Sequence, residues 1–261
     1  MNYPTWSDLN NDSIIPPLGD RQAPNIGPVA IIVSTEPDIR YLRATTEKPK
    51  GEKSRTQPFF MGTLMSIGSQ GISIAGPYIG APYGVMLLES LIARGAREII
   101  VLGWCGALTY DLAIGDIIIP DHAIVDEGTS CNYKALDPDL PCSNPDPDLS
   151  NQLFLHLISS GIPASRHPIW TTDAIYRETP KKMAWFRDRG ALAVEMECSA
   201  LFAVAEYRKV AITALLVVSD SLASGSGDWD PGFRKKIFKE ARKAACKSII
   251  TFAEKLCEHG K

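Results

Sequence analysis

Long apolar runs alternate with amphipathic segments along most of the chain. The clearest run covers residues 211–218, where nearly every side chain is apolar, as expected for a strand buried on both faces of a parallel sheet. Shorter apolar runs predict strands at 29–33 and 98–102, and the segments 82–94 and 233–258 have the apolar spacing of helices. This alternation of strands and helices predicts an α/β fold.

Glycine-rich and proline-rich segments predict the connections. Residues 59–67 and 72–79 resemble two strands joined by a glycine-containing turn. The strand at 98–102 runs into a glycine turn at 103–106, where free backbone N–H groups could bind an anion or a hydroxyl. Residues 223–232 contain three glycines, which predicts a mobile flap able to close a site.

Chain length predicts one folded unit with an N-terminal extension. A chain of 261 residues that is 45% hydrophobic can bury one large core, so we predict a single domain over residues 28–261. Residues 1–27 are mostly polar and hold four prolines. This segment is predicted to be an extended arm that lies against a neighbouring molecule.

Charge and cysteine content narrow the class of partner. The formal net charge is only −3 and no basic stripe is present, which argues against binding to nucleic acid or to an acidic membrane surface. A small-molecule ligand is therefore expected. No apolar run approaches the ~20 residues of a membrane helix, so the protein is expected to be soluble. Six cysteines without a CxxC pair, together with four histidines, predict no metal site and reduced thiols in the cytoplasm.

Carboxylates beside buried segments are the candidate functional residues. Glu195 and Glu197 immediately precede an apolar helical run, and Asp220 follows the buried strand at 211–218. Ligands of open α/β sheets bind outside the carboxyl ends of the strands, so Glu197 and Asp220 are expected to converge. By residue type alone the two acids fit a helix-terminal carboxylate and a helix cap. A charge between buried elements nevertheless needs a partner, and a polyol substrate would supply one.

Four motifs follow one another along the chain. They are Gly103-Trp104-Cys105-Gly106-Ala107 with Gly115-Asp116-Ile117, Thr172-Asp173-Ala174-Ile175-Tyr176, Val194-Glu195-Met196-Glu197, and Val218-Ser219-Asp220. Their order and spacing resemble the nucleoside phosphorylase and nucleosidase superfamily, which includes uridine phosphorylase, hexameric purine nucleoside phosphorylase and methylthioadenosine nucleosidase. The resemblance implies an α/β fold with one three-layer domain, in which a central mixed, partly barrel-like sheet is flanked by helices.

The resemblance also implies a reaction and roles for the acids. The expected enzyme cleaves the N-glycosidic bond of a nucleoside by phosphorolysis, giving free base and ribose 1-phosphate, with inorganic phosphate as co-substrate and no cofactor. The transition state is oxocarbenium-like, so the site must hold the sugar and assist the departing base. By resemblance Glu197 accepts hydrogen bonds from the ribose hydroxyls, and Met196 packs on the sugar. Asp220 is by resemblance the general acid or the hydrogen-bond donor to the base. The residues expected to line the base pocket are Ile175, Tyr176, Val194 and Glu195.

The acceptor end departs from the family pattern. Phosphorylases usually carry an arginine two residues before the first glycine of the Gly-x-Cys-Gly turn and a serine or threonine after that glycine. This chain has Val101 and Trp104 there. Arg55 resembles the arginine that the family lends across a dimer interface, which implies a homodimer or a trimer of dimers. The candidates for binding phosphate or another acceptor are Arg40, Arg55, Gly103, Trp104 and Asp38.

Two further functions remain open from the sequence. A nucleosidase uses water and needs a carboxylate to activate it, and Asp38 after the first strand is the candidate base, although an acid at a helix N-terminus also has a structural explanation. A ligand-binding relative without turnover is compatible with Val101 and Trp104. The presence of Asp220 and Glu197 argues against that last function.

Overall fold

A computed structural model describes residues 8–10, 13–17, 26–46, 55–67, 71–223 and 229–259, without the side chains of Arg55 and His259. The strands are β1 (Val29–Val33), β2 (Arg55–Phe59), β3 (Gly62–Ile67), β4 (Ile72–Gly76), β5 (Glu98–Ala107), β6 (Ile117–Asp126), β7 (Cys142–Ser143), β8 (Ser165–Thr172), β9 (Ala193–Glu195), β10 (Ala211–Ser221) and β11 (Asp230–Pro231). The α-helices are α1 (Glu36–Thr46), α2 (Ala81–Ala93), α3 (Pro147–Ser159), α4 (Pro180–Arg187), α5 (Cys198–Arg208) and α6 (Lys236–His259).

The described strands form one mixed sheet that partly closes on itself. Strand β10 pairs with both β6 and β5, and the order β10-β6-β8-β9-β5 therefore closes a barrel. From β5 the sheet continues through β1, β4, β3 and β2. The β1, β5 and β10 pairings are parallel, whereas β9 runs antiparallel to β5 and β6 runs antiparallel to β10. The predicted fold class is confirmed.

Helices cover both faces of the sheet and bury its apolar side chains. On one face α2 and α5 pack together over side chains such as Val101 and Leu216. On the other face α1, α3 and α6 cover side chains such as Ile31 and Leu215. Strand β10 is buried on both faces over most of its length, as its apolar run predicts, because each face has its own layer of helices.

Several predicted boundaries are wrong. The strand expected at 72–79 ends at Gly76, and three further differences each have a tertiary reason. Residues 59–67 do not form one strand, because the chain reverses at Phe60, which has φ 53°, to form the β2–β3 hairpin. The predicted turn at 103–106 is instead the end of β5, where pairing with β9 and β10 keeps the backbone extended. Helix α6 begins at Lys236 rather than at residue 233, because Phe233 packs on Trp104 instead.

Parts of the predicted arm and of the predicted flap lie outside the described residues. Residues 8–10, 13–17 and 26–27 are the described portion of the arm, and the boundary between residues 27 and 28 remains a prediction. Of the flap, residues 224–228 lie outside the described ranges, and β11 pairs with the end of β10. Among the helices that the structure describes, none has the length and hydropathy to cross a membrane, and no disulfide joins the described cysteines.

Candidate active site

A cavity of about 510 Å³ lies at the carboxyl ends of β1, β5, β9 and β10. This is where ligands of α/β proteins bind, because the loops that follow parallel strands meet at one edge. The residues that line it are Ser34, Thr35, Tyr78, Ile79, Trp104, Cys105, Gly106, Ile175, Tyr176, Glu178, Val194, Glu195, Met196, Glu197, Ser219, Asp220, Leu222, Trp229 and Phe233. The structure thus brings together the sugar, base and acid candidates that the sequence predicts.

Asp220 is aimed at this cavity by an irregularity in β10. The register between β10 and β5 shifts between Val218 and Asp220, which re-aims the side chains at the end of the strand. Gly106 lies opposite on β5, and a Cβ atom there would approach Asp220 Oδ2 to 3.2 Å. A glycine at position 106 therefore leaves space for the Asp220 carboxylate.

Two donors hold the Asp220 carboxylate. The Ser219 hydroxyl donates to Asp220 Oδ1 at 2.5 Å, and Trp229 Nε1 donates to Asp220 Oδ2 at 2.7 Å. Burial raises the pKa of Asp220, and the bonds from Ser219 and Trp229 oppose that rise. The net shift is upward, which is the direction that suits a general acid.

Glu195 and Glu197 stand at the junction of β9 and α5 and have different surroundings. Glu195 accepts hydrogen bonds from Thr171 Oγ1 at 2.5 Å and from the backbone N–H groups of Glu197 and Cys198 at 2.8 Å each. Glu195 therefore caps the N-terminus of α5. Glu197 accepts a bond at 2.6 Å from the backbone N–H of Gly80, and the backbone of Met196 also favours its ionised form.

The two glutamates also differ in how readily they ionise. Burial, followed by the charge of Glu195, raises the pKa of Glu197 to about 8. Burial also raises the pKa of Glu195, while its three hydrogen bonds oppose the rise. Glu195 is the better placed of the two to hold the negative charge, because it has more donors. Near neutral pH Glu197 is therefore largely protonated, and it can accept further hydrogen bonds from a ligand.

The predicted base pocket lies at the more open part of the cavity. Ile175 is 50% exposed and Tyr176 is 96% exposed, and both belong to the 3-10 turn that follows β8. Val194 is buried on β9 between β5 and β8. These three side chains give the cavity an apolar wall next to Glu178 and Asp220.

The predicted acceptor residues are not brought together as expected. Trp104 lines the cavity, but Gly103, Asp38 and Arg40 are absent from its described lining. Arg40 is exposed and pairs with Glu36 at 2.6 Å, since the i,i+4 spacing on α1 places the two on one face. The Arg55 side chain lies outside the described residues.

Asp38 has structural partners that the sequence does not reveal. It is 2% exposed, and Oδ1 accepts bonds from Arg242 Nε at 2.9 Å and Nη2 at 2.6 Å. Its Oδ2 accepts from Thr35 Oγ1 at 2.7 Å and from Trp104 Nε1 at 2.6 Å. The expectation that Asp38 activates water is not supported by this arrangement, because Arg242 neutralises it and Trp104 stands between it and the cavity.

Arg242→Met should lower the free energy of unfolding by about 3 kcal/mol, because it leaves the buried Asp38 charge with neutral donors only. Urea unfolding followed by circular dichroism measures the loss. In the double variant Asp38→Asn/Arg242→Met part of that loss should be recovered, since the unpaired charge is removed as well. A single variant as stable as the parent protein would mean that the ion pair contributes nothing to the fold.

No arginine, lysine or histidine is among the described residues that line the cavity, whereas four carboxylates are. Those carboxylates are Glu178, Glu195, Glu197 and Asp220. In the described ranges, no group of three or more histidine, cysteine, aspartate or glutamate side chains is arranged to hold a metal ion. Any cation that faces a bound phosphate must therefore come from elsewhere.

Sequence reasoning missed several residues of the cavity. Tyr78 is 2% exposed and precedes Gly80, whose N–H binds Glu197. Glu178 follows the Ile175 turn, and Trp229 lies within the predicted flap at residues 223–232. Tyr78 and Glu178 belong to no motif, so no signal in the sequence assigns them to a site. Trp229 could be suspected only from its place in the flap.

The closed five-strand barrel with a carboxylate-lined cavity at the strand ends defines an α/β protein built to bind a small polar molecule. The chain belongs to the phosphorylase superfamily, whose family model matches residues 28–254. The family predicted from the motifs is confirmed.

Individual relatives agree with this family. Over 165 residues the chain is 30% identical to guanosine phosphorylase of Halorubrum lacusprofundi, a match that covers 63% of this chain and 64% of the relative, slightly under two thirds of its length. Over 181 residues it is 28% identical to purine nucleoside phosphorylase DeoD-type of Exiguobacterium sibiricum, covering 69% and 75%. The crystal structure of purine nucleoside phosphorylase from Toxoplasma gondii in complex with immucillin-H superposes with a TM-score of 0.76 at 22% identity, covering 90% and 93%, which shows the shared fold.

Proposed function

We propose that this chain is a nucleoside phosphorylase, a pentosyltransferase that moves the ribosyl group of a nucleoside to inorganic phosphate. The observation that supports this best is that Glu197 and Asp220, on different elements, line one cavity of suitable size. Family membership and the names of the relatives, guanosine phosphorylase and purine nucleoside phosphorylase, support the same reaction. No cofactor takes part.

In the proposed reaction a phosphate oxygen bonds to C1′ of the ribose as the C1′–N bond breaks, and the base leaves with the bonding electrons. Glu197 accepts hydrogen bonds from the ribose hydroxyls, and Met196 packs on the sugar. Asp220 gives a proton, or a hydrogen bond, to the departing base nitrogen. The raised pKa of the buried Asp220 suits this role, because it favours the acid form.

The base is proposed to lie against Ile175, Tyr176 and Val194, whose apolar surfaces fit the faces of a planar ring. We propose a different role for Glu195, although it also lines the cavity. Its oxygens are occupied by the Thr171 hydroxyl and by two backbone N–H groups of α5. It therefore positions Glu197 rather than reading the base.

The phosphate is proposed to bind near Trp104 with help from a second copy of the chain, as a homodimer or a trimer of dimers. The described lining has no cation, so Arg55 of a neighbour would supply the charge. Exposed apolar side chains at the cavity mouth, Ile79 at 73% and Tyr176 at 96%, support a covering subunit. Light scattering measures the number of subunits. A monomeric variant with full activity would exclude this role of Arg55.

Hydrolysis is a second candidate, favoured by the four carboxylates and the lack of a cation in the described lining. Water, unlike a phosphate dianion, needs no cationic partner. Asp38 is engaged by Arg242 and Trp104, so the base for water would be one of the cavity carboxylates. We also propose a cytoplasmic location, which fits described cysteines that form no disulfide with one another.

A panel of purine and pyrimidine nucleosides incubated with and without phosphate tests the proposal. Chromatography of the free base and of the sugar product separates the outcomes. We expect base release only with phosphate, with ribose 1-phosphate as product. Equal release without phosphate, giving free ribose, would replace phosphorolysis by hydrolysis. No release from any nucleoside would leave a binding protein without turnover.

A further inference from the structure

Glu178 is a cavity carboxylate without a role in the reaction described above. It follows the 3-10 turn Ile175–Arg177, and its side chain lines the same cavity as Asp220. Among the residues placed by the structure, no side chain forms a hydrogen bond or ion pair with it. The nearby Lys182 is held by Asp126 at 2.6 Å instead. Glu178 is therefore a carboxyl group with free hydrogen-bonding capacity at the base end of the cavity.

The charges around Glu178 place its titration near neutral pH. Burial, then the charge of Asp220 on β10, raises the pKa of Glu178 to about 7, and Lys182 on α4 opposes the rise. Glu195 and Glu197 face the same cavity from the β9–α5 junction. Glu178 can thus present either an acceptor-only carboxylate or a donating acid to a ligand within the physiological pH range.

We propose that Glu178 selects the base, accepting hydrogen bonds from the N1–H and 2-amino groups of a 6-oxopurine when ionised and donating one to N1 of a 6-aminopurine when protonated. This inference rests on the proposed cleavage of nucleosides. A purine is large enough to offer a five-membered-ring nitrogen to Asp220 and its opposite edge to Glu178. Guanine has two parallel donors on that edge, which match the two oxygens of a carboxylate.

Other bases fit an ionised Glu178 less well. Adenine turns the lone pair of N1 toward the carboxylate, which is repulsive until the carboxyl group is protonated. Uracil offers one N–H flanked by two carbonyl oxygens, so only one of the carboxylate oxygens finds a donor. The substrate class that fits the ionised site is therefore the 6-oxopurine nucleosides, guanosine above all.

The test is the ratio of kcat/KM for guanosine to kcat/KM for adenosine across pH. Both substrates share the sugar, the acceptor and Glu197, so the titration of these groups cancels in the ratio. We expect the ratio to rise about 10-fold or more from about pH 6 to about pH 8, as Glu178 loses its proton. In Glu178→Gln the ratio should be flat, and kcat/KM for guanosine at pH 8 should fall roughly 10- to 100-fold.

Matched variants and a binding measurement make each outcome decisive. Glu254→Gln on the exposed face of α6 should keep the pH-dependent ratio, and Glu178→Ala should abolish it like Glu178→Gln. A ratio that does not change with pH in the parent protein, or that still changes in both Glu178 variants, overturns the inference. If no nucleoside is cleaved, the proposed function fails separately. The ratio of the binding constants for free guanine and free adenine is then measured across the same pH range. Tryptophan fluorescence detects the binding, since Trp229 lines the cavity.

Discussion

Replacing Asp220 by Asn is expected to lower kcat by about 10²- to 10⁴-fold, because an amide keeps the shape of the carboxyl group but cannot protonate the departing base. The surroundings of Asp220 both shift its pKa upward and fix its position. Burial raises its pKa, and the Ser219 and Trp229 donors fix its orientation. Release of free base under saturating nucleoside and phosphate measures the effect.

Two comparisons separate lost acid catalysis from a damaged fold. Asp188→Asn removes an exposed carboxylate at the end of α4 and should keep the parent kcat. A riboside whose leaving group needs no proton should lose far less in Asp220→Asn than a nucleoside does. If Asp220→Asn cleaves nucleosides at the parent rate, Asp220 is not the general acid.

The strands and helices that could be predicted are those whose burial is uniform along the segment. Strand β10 is apolar throughout because helices cover both of its faces, so the run is visible without any knowledge of the partners. The end of β5 was predicted as a turn because its glycines favour one locally. Its extended shape depends on pairing with β9 and β10, which lie about 90 to 110 residues further along, and no local pattern records that pairing.

The residues of the candidate site also fall into those that the sequence predicts and those that it does not. Glu197 and Asp220 could be proposed because each is a charge at the edge of a buried segment, where an unpaired charge is costly. Glu178 and Trp229 lie in irregular segments, where only the folded chain determines what a side chain faces. Sequence patterns therefore identify the acids on regular elements and miss the residues that loops bring to the cavity.

Asp38 shows how a distant residue can change the role expected for an acid. At the start of α1 it fits a water-activating base, a phosphate ligand or a helix-terminal carboxylate equally well. Arg242, 204 residues away in sequence, decides among these by pairing with it. The same contact leaves the Arg242 guanidinium 4.8 Å from the Trp104 ring centroid, so the indole forms the cavity wall and the guanidinium stays behind it.

Replacing Glu197 by Gln is expected to lower kcat/KM for ribonucleosides by about 10²- to 10³-fold, because the ribose hydroxyls lose hydrogen bonds to a charged acceptor. The developing positive charge on the sugar also loses a nearby carboxylate. Ionised Glu197 is the accepting form, and its pKa is raised to about 8 by burial and then by Glu195. The parent kcat/KM should therefore rise with pH toward about 8, and this rise should be absent in the variant.

The choice of sugar provides the control for Glu197. A 2′,3′-dideoxynucleoside lacks the hydroxyls, so its kcat/KM should fall much less in Glu197→Gln than that of a ribonucleoside, by the loss of charge stabilisation alone. Glu254→Gln should leave both substrates unaffected. Between about pH 5 and pH 8 the folded protein keeps Glu197 mostly neutral while the unfolded chain ionises it, so the amide should not lower the thermal unfolding midpoint there. If the variant loses activity equally on both sugars, or unfolds many degrees earlier, Glu197 stabilises the β9–α5 junction and does not bind the ribose.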